Sequence, residues 1–244
     1  MPAQIVPRTP PFSAPAYVVV GKYSDESGSR YVRHVALLRE NGMLRYGEAV
    51  RVWEMAPPLV AGQPSLLKTG RDPKCAAHVV GWLDLKGDER DGMTEWLAEV
   101  ETEGEQRPVG PRMWLQYTVS LDPKDEWAMD ERNVPLFRRF SCASFVLKAY
   151  AEGAGVVLLD LSDPLRFPEV DLDSVCRAYE PRIRTLERFR SNIGLAEAGP
   201  WRIVQAAYVL HAFDRPDEQI RLAAHTVTGP EECDFPLPAP GRSE

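Results

Sequence analysis

The feature that most constrains the fold is a series of apolar, β-branched runs near the start of the chain. Residues Ala16–Tyr23 read AYVVVGKY and residues Tyr31–Leu38 read YVRHVALL, and both compositions are typical of strands. Asn41-Gly42 then precedes a third such run, Met43–Val52, and Asn-Gly between two apolar runs is a strong hairpin signal. The beginning of the chain is therefore predicted to form an antiparallel sheet.

Helical patterns dominate the second half of the chain. The best of them covers Ser141–Glu152, where Ser141 is a good N-cap and Gly153 follows the last apolar position. Similar periodicity predicts helices over Glu180–Ile193, Trp201–Ala212 and Asp217–His225. Strands followed by helices predict an α+β fold.

Length and composition predict the domain organisation. The chain has 244 residues, 44% hydrophobic and 27% charged, which is typical of a globular domain with a sizeable core. We predict four parts: an extended N-terminal arm over residues 1–15, a main domain over 16–175, a helical appendage over 176–228 and a proline-rich tail over 229–244.

Charge and hydropathy exclude several classes of function. Acidic residues outnumber basic ones by 36 to 29, and no long basic cluster occurs, so we expect no nucleic-acid partner. No apolar run reaches the ~20 residues that cross a bilayer, so no integral membrane segment is expected. The first residues lack the basic-then-apolar pattern of a secretory signal, which predicts a cytoplasmic protein.

Cys142 is the strongest candidate for chemistry. It falls at the first position of the predicted helix, where free backbone N–H groups and the helix dipole stabilise a thiolate. Such positions, and nearby cations such as Arg138 and Arg139, can lower a thiol pKa from ~8.5 to roughly 3.5–7.5. A small buried hydrophobe at a helix start is the competing interpretation, because most free cysteines are simply buried.

A thiolate nucleophile needs a base, and His34 in the second predicted strand is the best candidate. A symmetric turn at Asn41-Gly42 pairs residues whose numbers sum to about 83, which places His34 near Ala49, with Glu48 adjacent. A shift of one residue puts Glu48 directly opposite His34. Glu48 can then accept a hydrogen bond from the ring and fix its tautomer. Taken alone, His34 is better explained as a histidine of a half-buried strand whose hydrogen-bonding groups have partners. Glu48, taken alone, is better explained as a solvated strand residue.

Two segments resemble a known family of cysteine hydrolases. RHVALLRENGMLRYGEAVRVWEM resembles the histidine strand, hairpin and acidic residue of permuted NlpC-type and lecithin retinol acyltransferase-like proteins. FSCASFVLKAYAEGAGVVL resembles their nucleophile helix, and LSDPLRFPEVDLDSV resembles the segment that follows it in the YiiX-like group. The resemblance covers roughly residues 17–175. Ala143 stands where the family commonly has serine, and Glu48 stands where the retinol-type branch commonly has a second histidine.

The resemblance implies a circularly permuted papain-like fold with Cys142, His34 and Glu48 as catalytic residues. It implies hydrolysis or acyl transfer of an amide or ester, with a small molecule, a peptide or an acyl lipid as substrate and with no cofactor or metal. The C-terminal helices are then available to a protein partner. The alternative is a papain-like scaffold that no longer catalyses and acts as a binding module.

Other candidate sites are weaker. Cys75 and His78 have a C-x-x-H spacing but lack a second ligand pair, so a zinc site is not predicted. His211 and His225 fall in predicted helices and are expected to be core or surface residues. The acidic group Asp84, Asp88, Glu89 and Asp91 does not have the spacing of a calcium loop, and a solvated loop is predicted there.

Overall fold

The computed structural model describes part of the chain, and every structural statement below concerns that part. The described residues are 6–7, 12–13, 17–24, 31–39, 43–44, 51–53, 79–81, 83–105, 115–117, 127–129, 131–132, 135–161, 169–170, 201–202, 204 and 206–213.

The largest described sheet has five strands, and each strand is antiparallel to its neighbours. At its centre lie β3 (Tyr17–Ser24) and β4 (Tyr31–Arg39), which correspond closely to the first two predicted strands. The remaining members are β1 (Val6–Pro7), β6 (Arg51–Trp53) and β7 (Val79–Gly81), in the order β1-β7-β3-β4-β6.

The predicted register of the hairpin is wrong. Trp53 is the partner of Leu37, at the position where the symmetric turn would have placed Tyr46. The first residues of the predicted return strand, β5 (Met43–Leu44), pair instead with β2 (Phe12–Ser13). Within the predicted N-terminal arm, the described residues form two short strands, β1 and β2, which pair with β7 and β5. Long-range pairing thus overrides the local turn signal.

Two smaller sheets follow later in the chain. In the first, β10 (Pro135–Phe140) lies between β8 (Leu115–Tyr117), to which it is parallel, and β9 (Trp127–Met129), to which it is antiparallel. The second pairs β11 (Glu169–Val170) with β12 (Trp201–Arg202). Strand β10 matters most for the site, because the chain passes from it directly into the helix that carries Cys142.

The described helices are α1 (Gly87–Glu105), α2 (Cys142–Lys148) and α3 (Ala206–His211), and α2 continues into a π-helical turn over Ala149–Gly153. Helix α1 begins at Gly87, before the first residue of its buried face, Met93. Asp88, Glu89 and Asp91, predicted as loop, lie in its first turns, where acidic side chains complement the helix dipole. None of the described helices combines the length and apolarity that a bilayer crossing requires.

One hydrophobic core joins the sheet and the helices. Helices α2 and α3 both pack on β4, and α1 packs on the π-helical turn. The core includes Val35 and Leu37 of β4, Phe145 of α2, and Tyr208 of α3. The described part of the predicted appendage therefore belongs to the main core. The helices predicted over Glu180–Ile193 and Asp217–His225, and the tail, lie outside the described residues.

Two glycines let α1 approach the π-helical turn backbone to backbone. A Cβ built on Gly92 would lie 2.2 Å from the carbonyl oxygen of Gly153, and one on Gly153 would lie 2.9 Å from the Cα of Met93. The Trp96 indole N–H of α1 donates a hydrogen bond to the Glu152 carboxylate of the π-helical turn at 3.0 Å. Lys148 forms an ion pair with the same carboxylate at 2.6 Å. Any side chain larger than hydrogen at position 92 has no room.

Tyr150 lies in the π-helical turn with its phenol fully buried. Its ring packs edge-on against Phe213 at 5.5 Å, and its hydroxyl has no hydrogen-bond partner in the part of the chain that the structure describes. Burial raises the pKa of Tyr150 well above its usual range, because the phenolate would have to exist without water.

We predict that Tyr150→Phe stabilises the protein by about 1 kcal/mol at neutral pH, because the substitution removes a buried donor that has no acceptor. The raised pKa also means that the unfolded chain ionises first in alkali. The wild-type protein therefore loses stability relative to the Phe variant as pH rises above ~10, with a slope of up to about 1.4 kcal/mol per pH unit. Urea unfolding of both proteins between neutral and alkaline pH measures the two effects. Equal stability of both proteins at every pH would contradict this account.

Candidate active site

Cys142 is the first residue of α2, as predicted. Ser141 is the N-cap, and its hydroxyl accepts from the Ser144 backbone N–H at 2.9 Å. In return, the Ser144 hydroxyl accepts from the Ser141 backbone N–H at 2.7 Å. This reciprocal capping box holds the start of the helix in one geometry. The Ser141 carbonyl accepts from the Phe145 N–H, which begins the helical hydrogen-bond ladder.

Three aromatic rings pack against one another at the start of this helix. Phe140 and Phe145 flank the cap and meet edge-on, with ring centroids 5.6 Å apart. Trp96 of α1 contacts both, at 6.2 Å from Phe140 and 5.6 Å from Phe145. The edge-to-face pairs Trp96–Phe140 and Phe140–Phe145 each contribute roughly 0.5–1.5 kcal/mol beyond the burial of area. The backbone around Cys142 is therefore positioned by contacts from β10, α1 and α2 together.

The Cys142 thiol lies at the margin of the core. It is a thiol rather than half of a disulfide, and the residue is only 5% exposed. It belongs to the same hydrophobic cluster as Val35 and Leu37 of β4. The predicted position at a helix start is confirmed, and so is the burial that the competing structural interpretation expects.

Arg138 was expected to favour the thiolate through its charge. The structure places it four positions before Cys142 on β10, where it is 8% exposed. One of its guanidinium nitrogens, Nη2, lies 3.4 Å from the Glu99 carboxylate of α1, which offsets part of its charge. Arg138 therefore connects β10 with α1, and the side chain of Arg139 lies outside the described residues.

His34 lies on β4, the strand against which α2 packs, so the fold brings the two predicted elements together. Its Cα is paired with that of Lys22 on β3. Successive residues of a strand belong to opposite faces, so position 34 shares a face with Ala36. Val35 and Leu37, which join Cys142 in the core, belong to the other face. The side chain of His34 lies outside the described residues.

Glu48, Cys75, His78 and His225 lie outside the described residues, as does the side chain of His211. With the observed register, the residue after the Leu37 partner Trp53 is Glu54, another carboxylate, so the reasoning that selected Glu48 no longer holds. In the described ranges, no group of three or more His, Cys, Asp or Glu residues could hold a metal ion.

Sequence patterns did not predict a small apolar hollow at the end of α2. It has a volume of about 200 Å³ and is lined by Leu147, Lys148, Ala151, Val157, Leu158 and Leu159. Val157 is 43% exposed, and Gly155, two residues before it, has a φ of 68°. Cys142 does not line it, so this hollow is not a substrate pocket for that thiol.

Comparison of the chain with protein-family models, with curated proteins and with solved structures finds no match. The resemblance to permuted papain-like hydrolases therefore rests on the three quoted segments alone, and the permuted papain-like fold remains a prediction.

Proposed function

We propose that the chain is a thiol hydrolase or acyltransferase in which Cys142 attacks an amide or ester carbonyl. The observation that carries the proposal is the position of Cys142 at the start of a capped helix that packs on the strand of His34. A thiol in that position has the helix dipole beside it, which favours the nucleophilic thiolate. The mainly apolar surroundings suit an acyl group that carries little charge.

In the proposed reaction, His34 accepts the thiol proton and the Cys142 sulfur bonds to the carbonyl carbon. The bond from that carbon to the leaving nitrogen or oxygen then breaks, and the leaving group takes the proton from His34. Water, or another hydroxyl or amine acceptor, cleaves the resulting thioester and restores the thiol. Glu48 is the proposed partner that orients His34, with Tyr46 and Glu54 as the alternatives in the sequence.

The helix start also provides a place for the oxyanion. The first N–H groups of a helix have no intrahelical acceptor, and the cap uses the one from Ser144. The Ala143 N–H, next in the chain after the nucleophile, is thus the proposed second donor beside that of Cys142. Two backbone donors are sufficient for an oxyanion hole, and each can contribute about 2.7–4 kcal/mol to the transition state.

Two observations favour the second candidate function, a non-catalytic binding module. Cys142 is 5% exposed and packs in the core. Strand alternation assigns position 34 to the face opposite the β4 residues that accompany Cys142. A catalytic pair requires the two groups to approach within hydrogen-bond reach, whereas a scaffold has no such requirement.

Thiol labelling distinguishes the two functions. In the folded protein at neutral pH, a catalytic Cys142 should react with iodoacetamide at least about tenfold faster than Cys75, Cys176 and Cys233, because only a thiolate is nucleophilic. Peptide mapping by mass spectrometry after short labelling times gives the four rates. The unfolded protein in urea provides the control, since all four thiols should then react alike. Slow labelling of Cys142 in the folded protein, at or below the rate of the others, would favour the binding module.

A further inference from the structure

The two phenylalanines at the start of α2 form a hydrophobic staple. Phe140 immediately precedes the N-cap Ser141, and Phe145 is the fourth residue of the helix. Their rings meet almost at a right angle, with 85° between the planes. Contact between these two positions fixes the angle at which a chain enters a helix. The orientation of the first helical residue, Cys142, therefore depends on how the two rings are held.

Trp96 of α1 contacts both rings of the staple and is itself held by Glu152. Its ring plane makes an angle of 74° with that of Phe140 and of 48° with that of Phe145. The indole is rigid and has a single polar donor, so the hydrogen bond from its N–H to Glu152 Oε2 fixes the orientation of the ring. Trp96 is only 7% exposed, and without this acceptor its N–H would be left buried and unsatisfied. Loss of the carboxylate therefore favours a different orientation of the ring.

Glu152 is too far from Cys142 to act on the thiol through its own charge. The two residues are ten positions apart along α2 and the π-helical turn, which corresponds to about 15 Å of helix. The Glu152 side chain is 39% exposed, and charges in contact with water are largely screened beyond about 8–10 Å at ordinary ionic strength. The described contacts provide another path, which runs from Glu152 to Trp96 and from Trp96 to the staple.

We infer that Glu152 is a positioning residue for Cys142 and acts through the ring of Trp96. With the carboxylate in place, the staple holds the helix start in the geometry in which its N–H groups and its dipole stabilise the thiolate. The second carboxylate oxygen, Oε1, accepts from Lys148, so the carboxylate is itself held from two sides. The inference rests on the proposed function, in which Cys142 reacts as a thiolate, but its test follows the thiol and requires no substrate.

The test is the pH dependence of Cys142 alkylation by iodoacetamide in the folded full-length protein, followed by peptide mapping. The midpoint of this profile reports the ionisation of the thiol. Glu152→Ala should raise the midpoint by about 0.5 pH unit, which corresponds to a partial loss of the stabilisation by the helix dipole. Glu152→Gln keeps an oxygen that accepts from the indole and should shift the midpoint by less than about half as much. Because this side chain is 39% exposed, both variants should fold.

Two tryptophan variants test the path. Trp96→Phe should shift the midpoint as Glu152→Ala does, and the double variant Trp96→Phe/Glu152→Ala should shift it no further, because both changes interrupt the same path. The matched control is Trp53→Phe, which removes another buried indole N–H from a carboxylate of α1, that of Glu101 at 2.8 Å. It should leave the midpoint unchanged, because this hydrogen bond joins β6 to α1 and does not reach the helix of Cys142.

An unchanged midpoint in Glu152→Ala overturns the inference, and so do equal shifts in Glu152→Ala and Glu152→Gln. Equal shifts in Trp96→Phe and Trp53→Phe overturn it as well, since they would reflect a general loosening of the core. An additive shift in the double variant would mean that Glu152 acts by another path. Failure of the proposed function gives a different result, in which wild-type Cys142 reacts no faster than the other three thiols. The differences among the variants remain measurable in that case.

Discussion

Replacement of Cys142 by alanine should reduce the hydrolysis of a reactive ester such as p-nitrophenyl acetate by at least about 10³-fold, since the nucleophile of a covalent mechanism is lost. The effect on folding should be small by comparison. Cys142 is buried at the margin of the core, and removal of one buried sulfur costs about 1 kcal/mol of stability. Steady-state hydrolysis and thermal unfolding of the same samples measure the two quantities.

Two further variants make the result interpretable. Cys176→Ala applies the same change outside the proposed site and should keep full activity. Cys142→Ser preserves the volume at the helix start and should fold even if the alanine variant does not, while it remains a much poorer nucleophile than the thiolate. Undiminished hydrolysis in folded Cys142→Ser and Cys142→Ala would exclude Cys142 as the nucleophile. Loss of folding in both would mark it as a residue of the core.

The largest effect on stability is expected for Gly92→Ala. The new methyl group would lie 2.2 Å from the Gly153 carbonyl oxygen, and this backbone atom cannot rotate away as a side chain can. Helix α1 and the π-helical turn must then separate, which strains the Trp96–Glu152 hydrogen bond. We expect a loss of about 3 kcal/mol in the free energy of unfolding, even though alanine is the better helix former by about 1 kcal/mol.

Gly87→Ala is the matched control for this prediction. Gly87 is the first residue of the same helix, is exposed, and has no atom within 4 Å of an added Cβ. Its substitution should change stability by less than about 1 kcal/mol, with a gain expected from the reduced freedom of the unfolded chain. Urea unfolding of the wild-type protein, Gly92→Ala and Gly87→Ala measures the three free energies of unfolding. Similar stabilities for Gly92→Ala and Gly87→Ala would mean that α1 does not approach the π-helical turn as closely as described.

Local signals allowed the sequence to predict the helix of Cys142 well. The N-cap Ser141, its partner Ser144 and the glycine at position 153 all lie within one short segment, so the information needed was local. The first two strands were predicted for the same reason, since their β-branched runs are continuous. The sequence predicted a continuous helix to Glu152, whereas the structure has a π-helical turn over Ala149–Gly153 that packs on α1.

Features that depend on distant partners were predicted poorly. Asn41-Gly42 suggested a tight hairpin, yet Met43 and Leu44 pair with the N-terminal arm and Trp53 pairs with Leu37. The first turns of α1 were predicted as a loop from their acidic residues, although they lie in a helix. The assignment of Glu48 to His34 relied on the register of that hairpin, and it is the part of the candidate site that the structure weakens most.

The short strand β1 has a consequence for the behaviour of the protein in concentrated solution. It forms one edge of the five-stranded sheet, and its second residue is Pro7, which has no N–H to offer an incoming strand. The other edge, β6, is three residues long. Short edges and an edge proline are devices that prevent sheets of neighbouring molecules from joining. Both described borders of this sheet thus oppose aggregation by strand addition, although its interior strands are rich in the valine and leucine that promote it.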